Sequence, residues 1–123
     1  YYASSMYHRQ KGIITVSSGI EFQNYQRAYD EILSQLAAVQ NGELEEWELA
    51  GARSTLLNSY ATVGDSQGKL ENFYLGQAAT GRSETPADLA QAVMEVSAER
   101  ICRAMSTVKL DTVYFLKGKE AQA

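Results

Sequence analysis

Of the side chains that hold transition metals or start nucleophilic attack, histidine and cysteine occur once each, as His8 and Cys102. They lie far apart in sequence, and neither belongs to a His-x-x-Glu-His pattern or its inverse, so a self-contained zinc or iron–sulfur site has too few ligands. Glu43, Glu45, Glu46 and Glu48 are dense enough to attract a hard cation. On a helix, however, their carboxylates spread around the axis, and a solvated helix N-terminus is the simpler reading. A Ser–His–Asp triad would have to use His8, but Ser4, Ser5, Ser17 and Ser18 fall in strand-like runs, none in a Gly-x-Ser-x-Gly elbow. Arg100 and Arg103 flank Cys102 and would lower a thiol pKa, yet a lone cysteine on a helix is more often packed than reactive. Tyr1, Tyr2 and Tyr7 with Arg9 and Lys11 suggest a stacking platform, which also needs a positively charged groove. Gly64-Asp65-Ser66-Gln67-Gly68 is a turn without the spacing of a phosphate loop.

The chain's charge balance stands against that groove. Lys and Arg total 11 against 15 Asp and Glu, a net charge of -4, which disfavours nucleic acid and anionic membrane as partners. At 123 residues the chain is one domain at most, and 45% hydrophobic with 21% charged residues is ordinary globular composition. No apolar run reaches the ~18 residues of a membrane span. One cysteine allows no internal disulfide, which fits a reducing compartment, and a cytoplasmic location is expected.

The elements that must position these residues follow from periodicity. Tyr1–His8 alternates as a strand, and Ile13–Ser18 is a β-branched strand; the short Arg9–Gly12 link makes the pair an antiparallel hairpin. Phe22, Tyr25, Tyr29, Ile32, Leu36 and Val39 then form one helical stripe, ended at Asn41-Gly42. A second helix is expected from near Leu44 to Val63-Gly64, with Leu49, Leu56 and Tyr60 inward, antiparallel to the first and packed on the sheet. Asp65 or Ser66 caps a third helix with Leu70, Phe73, Tyr74 and Ala78 on its apolar face. Thr85-Pro86-Ala87-Asp88 starts a fourth, with Leu89, Val93 and Val96 inward, and Ser97-Ala98-Glu99 starts a fifth through Ile101, Ala104, Met105 and Val108. Leu110–Leu116 reads as a last strand, and residues 119–123 as a disordered tail. The expectation is an α+β layered sandwich in the order ββαααααβ, with one sheet face covered by helices. A chain that opens inside a strand, without an initiator Met, is expected to be a piece of a longer protein.

The string as a whole carries a resemblance. Gly12-Ile13-Ile14-Thr15-Val16 leads through Tyr25-Gln26-Arg27-Ala28-Tyr29-Asp30-Glu31-Ile32-Leu33-Ser34-Gln35-Leu36 to Asn41-Gly42-Glu43-Leu44, then Glu48-Leu49-Ala50-Gly51-Ala52-Arg53-Ser54-Thr55-Leu56-Leu57. This resembles the second half of the carboxy-terminal domain of the insulinase/pitrilysin family of zinc peptidases, the inverted zincins. Leu70-Glu71-Asn72-Phe73-Tyr74-Leu75-Gly76-Gln77 and Lys109-Leu110-Asp111-Thr112-Val113-Tyr114-Phe115-Leu116-Lys117-Gly118 are similar to small bacterial relatives that occur as paired peptidase-like proteins. The likeness runs over residues 1–118. Glu45, where Ser or Asp would cap the second helix, and Trp47, in place of an acid, depart from it.

The resemblance implies a truncated domain of the insulinase and mitochondrial-processing-peptidase type. Two homologous halves close a chamber there, one carrying zinc on His-x-x-Glu-His and another supplying an Arg and a Tyr seven residues apart to hold substrate. Tyr1 best matches that Tyr, with Tyr2 as the alternative register, and the Arg would lie before residue 1. Beside a cation, a tyrosine hydroxyl can donate to the oxyanion of a tetrahedral intermediate; the plainer reading leaves Tyr1 and Tyr2 as strand aromatics. The expected role is the non-zinc half of a metallopeptidase. It would need no cofactor of its own, with zinc in the parent or a paired subunit, a peptide as substrate and a homologous peptidase domain as partner. The alternative is a non-catalytic assembly module. Truncation would leave a sheet edge unpaired, so self-association as a symmetric dimer is expected.

Overall fold

The computed structural model describes residues 2–118. The fold is α+β, two antiparallel strands followed by five α-helices. Strands β1 (Tyr2–His8) and β2 (Ile13–Gly19) pair from Tyr2 opposite Gly19 to His8 opposite Ile13. The turn between them closes on one carbonyl: His8 O accepts from the backbone N–H groups of Lys11 and Gly12 at 3.0 and 2.9 Å. Gly12 turns there with φ +63°, a value that side-chain-bearing residues adopt only at a cost.

A single 3-10 turn at Phe22–Asn24 leads into α1 (Tyr25–Gln40). Tyr25, Tyr29, Ile32, Leu36 and Val39 are half-buried, as the stripe predicts, while Phe22 stays 56% exposed. Gly42, at φ +79°, ends the helix in the left-handed region, and the N–H of Glu43 reaches back to Ala38 O at 2.9 Å. Helix α2 spans Glu46–Ala61, α3 Gln67–Ala79, α4 Pro86–Met94 and α5 Ala98–Met105. Their starts follow local chemistry. Ser66 and Ser97 accept from the N–H groups of Lys69 and Arg100. Thr85 and Asp88 cap each other reciprocally, Asp88 accepting from Thr85 N at 2.8 Å and Thr85 Oγ1 from Asp88 N at 3.2 Å. Glu45 is a weak cap, but the Glu48 carboxylate accepts the Glu45 N–H at 2.9 Å and occupies that donor.

Three expectations need correction. Leu110–Leu116 forms no strand: among the described residues it makes no backbone hydrogen bond, and Phe115 stacks on Phe22 and lies tilted against Tyr25, with Lys117 over the Phe22 ring. A strand exists only where a partner edge meets it, and neither hairpin edge does. The helices do not lie as a layer over the sheet, since every residue of β1 is exposed. Nor do α1 and α2 pack as a hairpin. Helix α1 packs chiefly on α5, and α2 on α4.

That pairing also changes which faces are inward. On α2 the half-buried residues are Leu49, Arg53, Leu57 and Tyr60, with Leu56 outside; on α3 they are Phe73 and Gly76, with Gln77 buried, while Leu70, Tyr74 and Ala78 are exposed. Leu89, Val93 and Val96 of the fourth segment face inward as expected, as do Ile101, Met105 and Val108 but not Ala104. Among the described residues the buried apolar core is Val63 and Leu89 alone, each 8% exposed. The expected tail at 119–123 lies outside the described residues, as does Tyr1.

Candidate functional site

Of the two tyrosines that the resemblance offers, Tyr2 is the one that lies among the described residues. It stands at the open end of the hairpin opposite Gly19, where its ring lies so close over the glycine that a methyl there would sit 2.5 Å from a ring carbon. The absence of a side chain at Gly19 is what lets the ring settle. Ring and strand ends form one wall of an open hollow of about 390 Å³, whose other wall is Ala28, Glu31 and Ile32 of α1. These three are spaced as one face of a helix. Ala3, Ser18 and Ile20 complete the lining.

The chemistry of this hollow is modest. Its lining is largely apolar, with one carboxylate, Glu31, which already accepts from Gln35 Nε2 at 2.8 Å. Tyr2 is 62% exposed. No cation lines the hollow beside Tyr2, so the described residues do not assemble the cation–hydroxyl pair that the resemblance implies. Ala28, Glu31 and Ile32 were not read from sequence as site residues, because a helix stripe shows which residues turn inward and not which strand end they meet.

The metal-ligating candidates remain apart. His8 sits at the turn of the hairpin, its Nε2 2.5 Å from Thr15 Oγ1. Cys102 is on α5 and donates its thiol to Gln40 O at 2.8 Å, the packing role expected of it. The Glu43–Glu48 carboxylates do not converge, and among the described residues no three His, Cys, Asp or Glu side chains come together as a metal-binding group. A zinc ion therefore does not fit the side chains described. No helix is long and apolar enough to cross a membrane.

Titration is moved elsewhere, at the α3–α4 turn. Hydrogen bonds from the Arg82 guanidinium, with Nε 2.9 and 3.0 Å from the two Glu84 oxygens, and from the Glu84 backbone N–H push the Glu84 carboxyl from 4.5 down to about 2. The Thr85 N–H and hydroxyl lower Asp88 in the same direction. A carboxyl whose folded pKa is depressed contributes its stability above its unfolded value, and that contribution is lost as pH falls toward the folded value. The urea midpoint is accordingly expected to drop between pH 4.5 and about 2. Glu84→Gln should flatten part of that drop, and an unchanged pH profile would refute the assignment.

With this geometry in place, comparison with known proteins adds what the site alone does not. The chain is 34% identical over 120 residues to the probable inactive metalloprotease YmfF of Bacillus subtilis (strain 168), an alignment covering 98% of this chain and 28% of that protein. The chain is related to a metalloprotease-like protein. It spans little more than a quarter of that relative's length. No protein-family model matches it, and no solved structure does.

Proposed function

We propose that this chain is the non-zinc part of a metalloprotease-like protein of the insulinase/pitrilysin type, helping to wall a peptide-holding chamber and cleaving nothing by itself. The observation that carries the reading is the likeness, over 98% of this chain, to part of a protein named a probable inactive metalloprotease. Zinc, where the parent or a paired subunit binds it, would lower the pKa of a bound water toward neutrality; the residues described here take no part in that. Their contribution is a shape: the apolar hollow under Tyr2, beside strand backbone that a peptide can follow. The single free cysteine fits a cytoplasmic setting.

The test uses the purified chain. After dialysis against zinc it should retain less than stoichiometric metal by mass spectrometry, and it should leave a panel of unstructured peptides intact. One zinc per chain, lost on His8→Ala, would overturn the proposal. The rival reading is an assembly module with no part in substrate handling. It is favoured if the longer protein lacks an Arg seven residues before Tyr1, and the chamber reading is favoured if that Arg is there.

A further inference from the structure

Residues 109–117 follow α5 without joining a ladder, yet they are fastened at two places. At the near end, Met105 O and Val108 O accept from Gln40 Nε2, on the last residue of α1. At the far end, Phe115 lies 4.3 Å from Tyr25 and 5.9 Å from Phe22 between ring centroids, and Lys117 Nζ stands 3.9 Å from the centre of the Phe22 ring. Tyr25 opens α1 and Gln40 ends it, so the segment passes back along the whole helix. Between the fastenings, 110–116 makes no backbone hydrogen bond among the described residues. Exposure singles out the far contact: Phe115 is 39% exposed, its neighbours Tyr114 and Leu116 83 and 78%.

Length decides how the segment must lie. From Tyr25 to Gln40 the helix covers roughly 22 Å along its axis. Helical side chains lean toward the helix N-terminus at both ends, so their tilt cancels in that span. From Val108 to Phe115 a fully extended chain reaches about 23–25 Å. The backbone therefore has almost nothing to spare, and a helical turn within it would pull Phe115 off its rings.

We infer that residues 109–117 are a taut strap that clasps α5 against α1, with Phe115 as its latch and its length matched to α1. Helix α5 has only eight residues, too few to hold a helix in water without packing, and it packs chiefly on α1. The strap leaves its end and fastens at the far end of the same partner. Closing the latch therefore keeps α5 on α1, and opening it leaves α5 with the Gln40 end alone.

Native-state amide hydrogen exchange of the full chain reads this in α5. Phe115→Ala should lower protection across α5 roughly fivefold, as loss of an aromatic pair would, and leave α2 and α4 unchanged. Deleting Asp111 and Thr112 keeps the side-chain alternation but cuts the reach to roughly 16–18 Å. It should lower α5 protection by as much as Phe115→Ala, and the two combined should do no more, because both lose one latch. Inserting Gly-Ser after Thr112 lengthens the strap at little entropic cost and should keep protection within about twofold of wild type. Circular dichroism would establish that the helices remain folded in each variant. Wild-type protection in Phe115→Ala overturns the latch. Wild-type protection after the deletion, or an insertion as harmful as the deletion, overturns the matched length. In the wild-type chain, nuclear Overhauser contacts between the Phe115 and Tyr25 rings are expected, and their absence overturns the inference whatever the variants do.

Discussion

Leu89→Ala should destabilise the chain by about 3 kcal/mol, the middle of the range for truncating a buried leucine. Leu89 is 8% exposed and sits on α4 against α2. Val63 is the other buried apolar residue among those described, so the loss falls on a core with little else to share it. A small domain holds only ~5–15 kcal/mol in total, and one with so thin a core belongs at the lower end. The mutant's urea transition is therefore expected at a much lower midpoint or without a folded baseline. Leu75→Ala is the matched control: the same deletion at a position 64% exposed should change stability by no more than ~0.5 kcal/mol. Both are to be measured at one protein concentration, because association would make the midpoint depend on it. Equal effects from the two substitutions would mean that the α2–α4 packing described here does not carry the fold.

That contrast shows where the sequence was legible. Features decided within a few residues were read correctly: the hairpin from Gly12, the end of α1 from Gly42, the start of α4 from Thr85, Pro86 and Asp88. Features decided by a distant partner were not. Leu110–Leu116 has the residues of a strand, but strand character lies in a ladder, and no sequence pattern states whether an edge will arrive. On α2 apolarity places Leu49 and Tyr60 inward correctly but misplaces Leu56, which is exposed. Arg53 lies inward, its guanidinium donating to Val96 O at 2.5 Å and thereby satisfying a carbonyl just past the end of α4. A charged residue on an inner face has no periodic signature. The same holds for the candidate site: Tyr2 is named only through a resemblance, as the alternative register to Tyr1, while the α1 residues that line the hollow beside it become visible only once the helix is placed.

Gln40→Leu should loosen the carboxy-terminal third of the molecule. Gln40 Nε2 donates to two carbonyls at once, Met105 O at 3.0 Å and Val108 O at 2.9 Å, and its own backbone carbonyl accepts the Cys102 thiol. Three contacts thus fasten the end of α1 to α5 and to the residues that follow. Leucine keeps the bulk and removes both donors; Val108 O loses its partner, while Met105 O keeps the Val108 N–H at 2.9 Å. A carbonyl left unpaired costs about 1–3 kcal/mol when buried, and partial solvation of Val108 O brings the expected total to about 1 kcal/mol. Gln35→Leu, which removes an exposed bond to Glu31 on the same helix, should cost no more than ~0.5 kcal/mol. Stability alone would not locate the effect, so the decisive measurement is amide hydrogen exchange. In Gln40→Leu, protection should fall across α5 and persist in α2 and α4, whose packing does not involve Gln40. The tilted contact of Phe115 with Tyr25, at 4.3 Å between ring centroids, lies beyond that fastening and should weaken with it. Uniform loss of protection across all helices would show instead that α1 and α5 do not open as a separate unit.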